Sequence, residues 1–286
     1  MQLIQRFVWF LGQMPHFVKH LLTKVISLYL IYFPNQSARI TRKNIQLAYP
    51  LMPKHQQHQL SNDSIEELSQ KFFDLLTTWV KPVADSRDRV TIVHGFSEFQ
   101  QTTDGQPTLI LLPHLGNWEL FGLWLTQYRP YTAMFRPLRV PEISALVRHA
   151  RERGGNHLVP ATTAGVKAML KRLKHNECAI VLPDQAPKEG EGAYASFFGL
   201  DVLTPVLPYR LALATNARVF IGAALKTQEG YEVVLKKLND PIADDQDHWL
   251  VMMNREIEAL VREYPEQYQW EYRRFRNAPD GSLRYP

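Results

Sequence analysis

Residues 108–119 read TLILLPHLGNWE, and this stretch decides the expected fold. Its apolar part, 108–112, follows the turn-forming residues DGQP at 104–107 and therefore predicts a buried strand. Pro113 lacks the N–H group that strand pairing requires, so the predicted strand ends before it.

The second half of the same stretch predicts a helix. Gly116 and Asn117 suit a helix start, because asparagine is among the best N-terminal caps. The predicted order is a strand, a loop that contains His114, and a helix over 117–127 that carries Glu119.

His114 and Glu119 are the first candidates for catalysis. On one continuous helix, a separation of five residues turns the chain by about 140° and advances it by about 7.5 Å, so the two side chains would point apart. They can meet if His114 precedes the helix, as the pattern predicts. The carboxylate then accepts a hydrogen bond from one ring nitrogen and leaves the other as a general base. The alternative is a histidine that merely follows a strand and an acid favoured by the helix dipole.

The chain downstream of residue 89 alternates between strand and helix patterns. This alternation predicts an α/β fold with a mostly parallel central sheet and flanking helices. The predicted strands are 89–94, 108–112, 131–136, 157–160, 178–182, 218–225 and 231–238. The predicted helices are 37–47, 53–79, 117–127, 141–153, 164–175, 205–215 and 247–264.

Several predicted strand ends carry polar or loop-forming residues. These are His114, Arg136, Pro160 and Asp184. In a parallel sheet such ends lie along one edge, where ligands bind. The sequence therefore predicts a site at this edge.

Four further residues are candidates for substrate binding. Arg136 follows a strand, and Arg151 ends a helix, where cations are favoured in any case. A guanidinium at either position can hold a phosphate or an oxyanion. Asp184 and Gln185 lie in a proline-flanked loop, where a turn-forming role is the alternative. Residues 196–199, SFFG, read as an apolar loop before a helix, which either lines a channel or packs in the core.

The composition favours anionic partners. The chain has 286 residues, is 45% hydrophobic and has a net charge of +5, which suits phospholipid, phosphorylated lipid or an acidic carrier protein. No nucleic-acid-binding signature is evident. Cys178 lies in a predicted buried strand, and no Cys–His spacing suggests a zinc site, so neither a metal nor a cofactor is expected. The single cysteine fits a reducing, cytoplasmic-side location.

The N-terminal segment 1–36 is expected to associate with a membrane. Residues 7–33 are rich in apolar side chains, but Pro15 and several polar residues interrupt them, so a membrane-spanning helix is not predicted. The segment also lacks the cleavage site of a secretory signal. Two interfacial helices that meet at Pro15 are predicted, with ordinary core helices as the alternative. Residues 37–286 are predicted to form a single α/β domain.

The motifs taken together resemble a known family. In chain order they are HLGNWE at 114–119, FRP at 135–137, Arg151 with Gly154 and Gly155, DQAP at 184–187, FFG at 197–199 with Thr204 and Pro205, and WEYRRF at 270–275. An upstream patch from Arg42 to Pro50 is also similar. The chain thus resembles the bacterial lipid A late acyltransferases (lauroyl/myristoyl transferases) of the lysophospholipid acyltransferase-like superfamily. Two departures are Tyr272, which stands where the family often has histidine, and the missing N-terminal membrane span.

The resemblance implies an acyltransferase. Its donor would be the thioester of acyl carrier protein or coenzyme A, and its acceptor a hydroxyl of a phosphorylated glycolipid, a lipid A precursor. His114 would be the general base and Glu119 its partner, without metal or cofactor. Arg151 would contact the oxyanion or a phosphate, with backbone N–H groups near Gly116 as the alternative.

The remaining substrate-binding assignments are Asn117, Arg136, Asp184 and Gln185. The implied location is the cytoplasmic face of the bacterial inner membrane, as a peripheral or monotopic protein. Three alternatives stay open: an acyltransferase for another lysolipid, glycolipid or aminolipid; an esterase or thioesterase, although no G-x-S-x-G motif is present; and a peripheral lipid-binding protein.

Overall fold

The computed structural model describes residues 3–103, 105–238 and 245–285. The chain divides into two compact units, and each is assembled from separate stretches. The first unit, called the sheet unit, comprises Met1–Pro15, Phe72–Leu182 and Leu211–Pro241. The second unit comprises His16–Lys71, Pro183–Arg210 and Ile242–Pro286. The single domain over 37–286 stays a prediction.

The strands of the described residues are, in chain order, β1 Val90–His94, β2 Thr108–Leu111, β3 Tyr131–Phe135, β4 His157–Pro160, β5 Cys178–Val181, β6 Gly192–Phe197, β7 Leu200–Pro205, β8 Arg218–Lys226 and β9 Tyr231–Lys237. The helices are α1 Leu3–Gln13, α2 His16–Tyr32, α3 Gln36–Ala48, α4 Lys54–Val80, α5 Val83–Asp88, α6 Phe96–Thr103, α7 Trp118–Leu125, α8 Pro141–Glu152, α9 Thr163–Lys174, α10 Leu207–Thr215 and α11 Gln246–Glu263.

The sheet unit is built on a sheet with the strand order β1-β9-β8-β2-β5-β3-β4. Neighbouring strands from β8 to β4 pair in parallel, and β1 pairs in parallel with β9. The β8–β9 hairpin is antiparallel, so β9 and β1 run against the others. The predicted α/β fold with a mostly parallel sheet flanked by helices is therefore confirmed.

Strand β2 lies between β8 and β5, and all four of its residues are buried. Large side chains of α7, among them Phe121 and Trp124, pack into the same core cluster as Ile110 and Phe220. Gly222 of β8 is required for this packing, because a Cβ atom there would lie 2.4 Å from Cζ of Phe121. The buried core thus holds β2, β8 and α7 together.

Two predicted elements differ from the structure. Residues 196–199, predicted as a loop before a helix, complete the antiparallel β6–β7 hairpin of the second unit. Phe198 and Gly199 form its turn with positive φ angles of 53° and 72°. The helix predicted from residue 205 starts at Leu207, because Pro205 still pairs with Gly192. The short helices α5 and α6 were not predicted.

The N-terminal segment forms two helices, and the chain leaves the helical conformation between them at Met14 and Pro15, as predicted. Helix α1 belongs to the sheet unit and packs closely on α4: a Cβ atom at Gly12 would lie 2.4 Å from Cγ2 of Val80. Helix α2 belongs to the second unit. Across the described residues, no helix combines the length and the apolar composition needed to cross a membrane.

Candidate active site

The loop that carries His114 is held by hydrogen bonds on both sides. Leu112 N donates to Val181 O at 2.9 Å, and Asn117 N donates to Ala224 O at 2.8 Å. Gly116 forms an isolated parallel bridge with Ala224 and has a φ angle of 62°. A Cβ atom at Gly116 would lie 2.1 Å from Ala224 O, so only glycine lets the loop approach β8 this closely.

Asn117 caps α7 as the sequence predicts. Its side-chain oxygen accepts a hydrogen bond from Leu120 N at 3.0 Å, and its Nδ2 donates to Thr78 Oγ1 at 3.3 Å. The residue is 2% exposed. Its amide therefore orients the first turn of α7, and the predicted contact with substrate stays a prediction.

His114 lies in the loop between β2 and α7, and its side chain is half-buried. Its ring meets the ring of Trp118 edge to face, with a centroid separation of 5.0 Å. The predicted order of strand, histidine loop and helix with Glu119 in its first turn is therefore observed. The imidazole is thus partly exposed and packs on one side against the indole.

Glu119 is a buried carboxylate paired with a half-buried cation. Its residue exposure is 6%. Arg151 Nε donates to Oε1 at 3.1 Å and to Oε2 at 2.9 Å, and Nη2 donates to Oε1 as well. The Arg151 guanidinium also lies 5.6 Å from the ring centroid of Phe135. Burial lowers the pKa of Arg151, but the charge and hydrogen bonds of Glu119 raise it by more, so Arg151 stays a cation.

Tyr131 completes the surroundings of this ion pair. Burial raises the pKa of its hydroxyl above the ordinary value, and the negative charge of Glu119 raises it further. The hydroxyl therefore stays protonated beside the carboxylate. Sequence reasoning missed Tyr131, because a tyrosine at the start of a strand is common and its local sequence carries no other signal.

Arg136 follows β3 directly, and its side chain is exposed. Strands β2, β5 and β3 run in parallel side by side, so Arg136 leaves the sheet at the same edge as His114. The structure thus places these two predicted site residues at one edge.

Asp184 and Gln185 belong to the second unit, where they connect to the C-terminal motif. Asp184 is 3% exposed. Burial raises the pKa of Tyr268 well above its usual range, and the charge and hydrogen bond of Asp184 raise it further. Gln185 Nε2 donates to Gln269 Oε1 at 3.1 Å. Tyr268 is therefore a buried partner of Asp184 within the second unit. Substrate binding by Asp184 and Gln185 stays a prediction.

Tyr272 also has a defined contact in the second unit. Its hydroxyl oxygen accepts a hydrogen bond from Ala186 N at 3.0 Å. Asn44 Nδ2 donates to the carbonyl of Tyr272 at 2.7 Å and also bonds the carbonyl of Trp270. Three of the recognised motifs, which are far apart in sequence, are therefore joined within one unit.

Within the described residues, no three His, Cys, Asp or Glu side chains are grouped so that they could hold a metal ion. The sheet unit thus combines a half-buried histidine after the central strand β2 with a buried glutamate in the first turn of the next helix.

Comparisons with known proteins identify the family. Residues 2–277 match the sequence profile of the family described as bacterial lipid A biosynthesis acyltransferase, so the chain belongs to this family. It is an O-acyltransferase.

The similar proteins are distant in sequence. The chain is 24% identical over 283 residues to a lipid A biosynthesis acyltransferase of Haemophilus influenzae, covering 98% of this chain and 88% of the relative. It is 23% identical over 280 residues to the lipid A biosynthesis lauroyltransferase of Escherichia coli, covering 96% and 90%. A phosphatidylinositol mannoside acyltransferase of Mycolicibacterium smegmatis is 30% identical over 142 residues, covering 48% and 45%.

Proposed function

We propose that the protein transfers a fatty acyl chain from a thioester to a hydroxyl of a lipid A precursor. The donor is the acyl thioester of acyl carrier protein or of coenzyme A. The observation that carries this proposal is the placement of His114 directly after the central strand β2, with Glu119 fixed in the first turn of the following helix. Membership of the lipid A acyltransferase family supports a lipid A precursor as the acceptor.

In the proposed reaction the acceptor hydroxyl is the nucleophile. His114 removes its proton while the oxygen forms a bond to the thioester carbonyl carbon, and Glu119 orients the ring and stabilises the imidazolium. The tetrahedral intermediate then expels the sulfur as the C–S bond breaks. The proton on His114 passes to the leaving thiolate, so the products are an ester and a free thiol.

The negative charge that develops on the thioester carbonyl oxygen needs hydrogen-bond donors close to His114. The N–H groups on both sides of Gly116 are already used, because Leu115 N donates to Pro113 O at 2.7 Å and Asn117 N donates to Ala224 O at 2.8 Å. Our candidate in this turn is therefore the N–H of Gly116. Arg151 Nε and Nη2 are occupied by Glu119, which leaves Nη1 as its remaining donor nitrogen for a substrate.

For the acceptor, Arg136 is the candidate that best suits a phosphate. Its exposed guanidinium leaves the sheet at the edge where His114 lies, and guanidinium groups bind phosphate bidentately. We also retain three proposed substrate-binding residues. Asn117 lies in the sheet unit, and Asp184 and Gln185 lie in a loop of the second unit.

We place the protein on the cytoplasmic face of the bacterial inner membrane, bound without crossing it. Helix α1 exposes Leu3, Phe7 and Phe10 by 83%, 60% and 57%. Helix α2 buries Lys19 and exposes apolar side chains instead. The exposed ones are Phe17, Leu21, Val25, Leu28, Tyr29 and Tyr32. Exposed apolar helix faces of this kind are typical of proteins that bind at the lipid–water interface.

An acidic acyl carrier protein has a suitable surface on α9. Lys167, Lys171 and Lys174 are exposed on this helix, which contains no acidic residue. Opposite charges accelerate encounter more than they increase affinity. We therefore expect the carrier-bound donor to react faster than the coenzyme A donor at low salt, with the difference falling as salt rises.

A second candidate acceptor is another glycolipid, because the M. smegmatis relative is a phosphatidylinositol mannoside acyltransferase with 30% identity over 142 residues. The test supplies a lipid A precursor, a lysophospholipid and a phosphatidylinositol mannoside side by side with labelled acyl donor. Mass spectrometry of the products should show a gain of one acyl group on the lipid A precursor. A gain on another acceptor alone would replace the proposed substrate, and lipid binding without any gain would indicate a lipid-binding protein.

A further inference from the structure

The contact between Arg151 and Glu119 uses the side of the guanidinium that Nε and Nη2 form. Nε lies 3.1 and 2.9 Å from the two carboxylate oxygens, and Nη2 bonds Oε1. The side chain of Glu119 is 5% exposed and that of Arg151 is 27% exposed, so little water reaches the carboxylate. Two nitrogens of one planar group therefore set both the position and the plane of the carboxylate.

Arg151 is itself held in place by the fold. Its carbonyl oxygen accepts a hydrogen bond from Asn156 Nδ2 at 2.8 Å, and Asn156 Oδ1 accepts one from Tyr131 N at 3.1 Å. The end of α8 is thereby tied to the start of β3. The ring of Phe135, at the other end of β3, lies beneath the guanidinium at 5.6 Å. The backbone of Arg151 is thus held by Asn156, and one face of its guanidinium lies against Phe135. A side chain held in this way can position another group.

We infer that Arg151 is a positioning residue that acts through Glu119: it fixes the carboxylate for His114 and offsets its negative charge. This inference rests on the proposed function, in which Glu119 orients the base. It assigns to Arg151 a role other than direct contact with the oxyanion or with a lipid phosphate. The titratable groups that interact with the carboxylate are Arg151 from α8 and Tyr131 from β3, with Cys178 of β5 beyond Tyr131.

The charge of Arg151 has a predictable effect on the pH dependence of the reaction. The substitution Arg151→Met removes a positive charge and leaves the Glu119 carboxylate without its cation. The His114–Glu119 pair then holds a proton more tightly, whichever member carries it. The acid limb of the kcat/KM profile should move to higher pH by about one unit or more, since a charge within about 4–6 Å has effects of this size.

Two further variants separate charge from geometry. Arg151→Lys keeps the positive charge but loses the paired nitrogens, so it should restore the acid limb while kcat stays reduced. Arg148→Met is the matched control on the same helix, because Arg148 pairs with Glu152 at the surface, and it should leave the profile unchanged. If Arg151 instead binds substrate, Arg151→Met raises the KM for the acceptor or lowers kcat/KM equally at every pH, with the acid limb unmoved.

A measurement without substrate keeps this inference apart from the proposed function. In the full chain labelled with ¹⁵N-histidine, the neutral ring of His114 should show a single tautomer, because a fixed carboxylate selects one. Arg151→Met should give a mixture of tautomers. An unchanged tautomer together with an unmoved acid limb would overturn the inference. A wild-type protein that shows the tautomer effect but no acyl transfer would overturn the proposed function alone.

The double variant Glu119→Gln with Arg151→Met provides for the case in which Arg151→Met does not fold. A buried pair with one partner missing is strongly destabilising, whereas removal of both charges is much milder. The double variant should therefore melt closer to the wild type than Arg151→Met does, and Arg151→Lys should melt between them. A double variant less stable than Arg151→Met would contradict the assigned contact.

Discussion

The substitution Gly116→Ala tests how tightly the histidine loop is fitted to the sheet. Gly116 has a φ angle of 62°, and its missing Cβ would lie 2.1 Å from the carbonyl oxygen of Ala224. Nonbonded carbon and oxygen atoms do not approach closer than about 3 Å, so the loop must move by about 1 Å. Gly190 is the matched control, because it has a φ angle of 78° but open space around its missing Cβ.

The two alanine variants should differ in stability because only the Cβ atom at position 116 would overlap another atom, the carbonyl oxygen of Ala224. The left-handed conformation alone costs about 1–2 kcal/mol, and both variants bear this cost. Movement of the loop in Gly116→Ala also breaks the bond from Asn117 N to Ala224 O, which contributes about 1 kcal/mol. It disturbs the cap of α7 as well, which contributes about 1 kcal/mol. Gly116→Ala should therefore be about 2 kcal/mol less stable than Gly190→Ala.

The assays are thermal unfolding and acyl transfer at a temperature where both variants are folded. We expect the melting temperature of Gly116→Ala to lie about 4–8 °C below that of Gly190→Ala. Because His114 lies two residues before Gly116, a shift of about 1 Å should lower turnover by about 10²-fold. Equal melting temperatures and equal turnover for the two variants would refute the reasoning.

Two other predictions concern the second unit and the N-terminal helix. Tyr272→Phe should lower the free energy of unfolding by about 1 kcal/mol, because the N–H of Ala186 loses its acceptor. Chemical denaturation measures this difference, and unchanged stability would show that water replaces the hydroxyl. Phe7→Ser combined with Phe10→Ser should weaken binding to anionic phospholipid vesicles at least about tenfold, as measured by flotation, because two half-exposed aromatic rings no longer enter the lipid. The exposed polar control Gln13→Ser on the same helix should bind as the wild type does, and equal binding by all variants would contradict a lipid contact of α1.

Local signals made the histidine loop predictable. Pro113 ends the strand, Asn117 caps the helix, and these two markers place His114 ahead of Glu119 without any knowledge of the packing. The same holds for β4, whose bounds His157–Pro160 agree with the prediction.

Contacts between distant segments were not predictable. Glu119 and Arg151 are 32 residues apart, and they meet because α7 and α8 pack against each other and against strands of the same sheet. From the sequence alone, Arg151 was predicted to be available for a substrate at a helix end, because nothing nearby in sequence signals its partner. The β6–β7 hairpin was missed because its turn, at Phe198 and Gly199, places an aromatic residue where polar turn residues are usual.

The central claim is that His114 is the base that activates the acceptor hydroxyl, and His114→Ala tests it most directly. Transfer of a labelled acyl chain to a lipid A precursor should fall by about 10²–10⁴-fold while the melting temperature stays near that of the wild type. A folded His114→Ala protein that transfers the acyl chain at the wild-type rate would contradict the account.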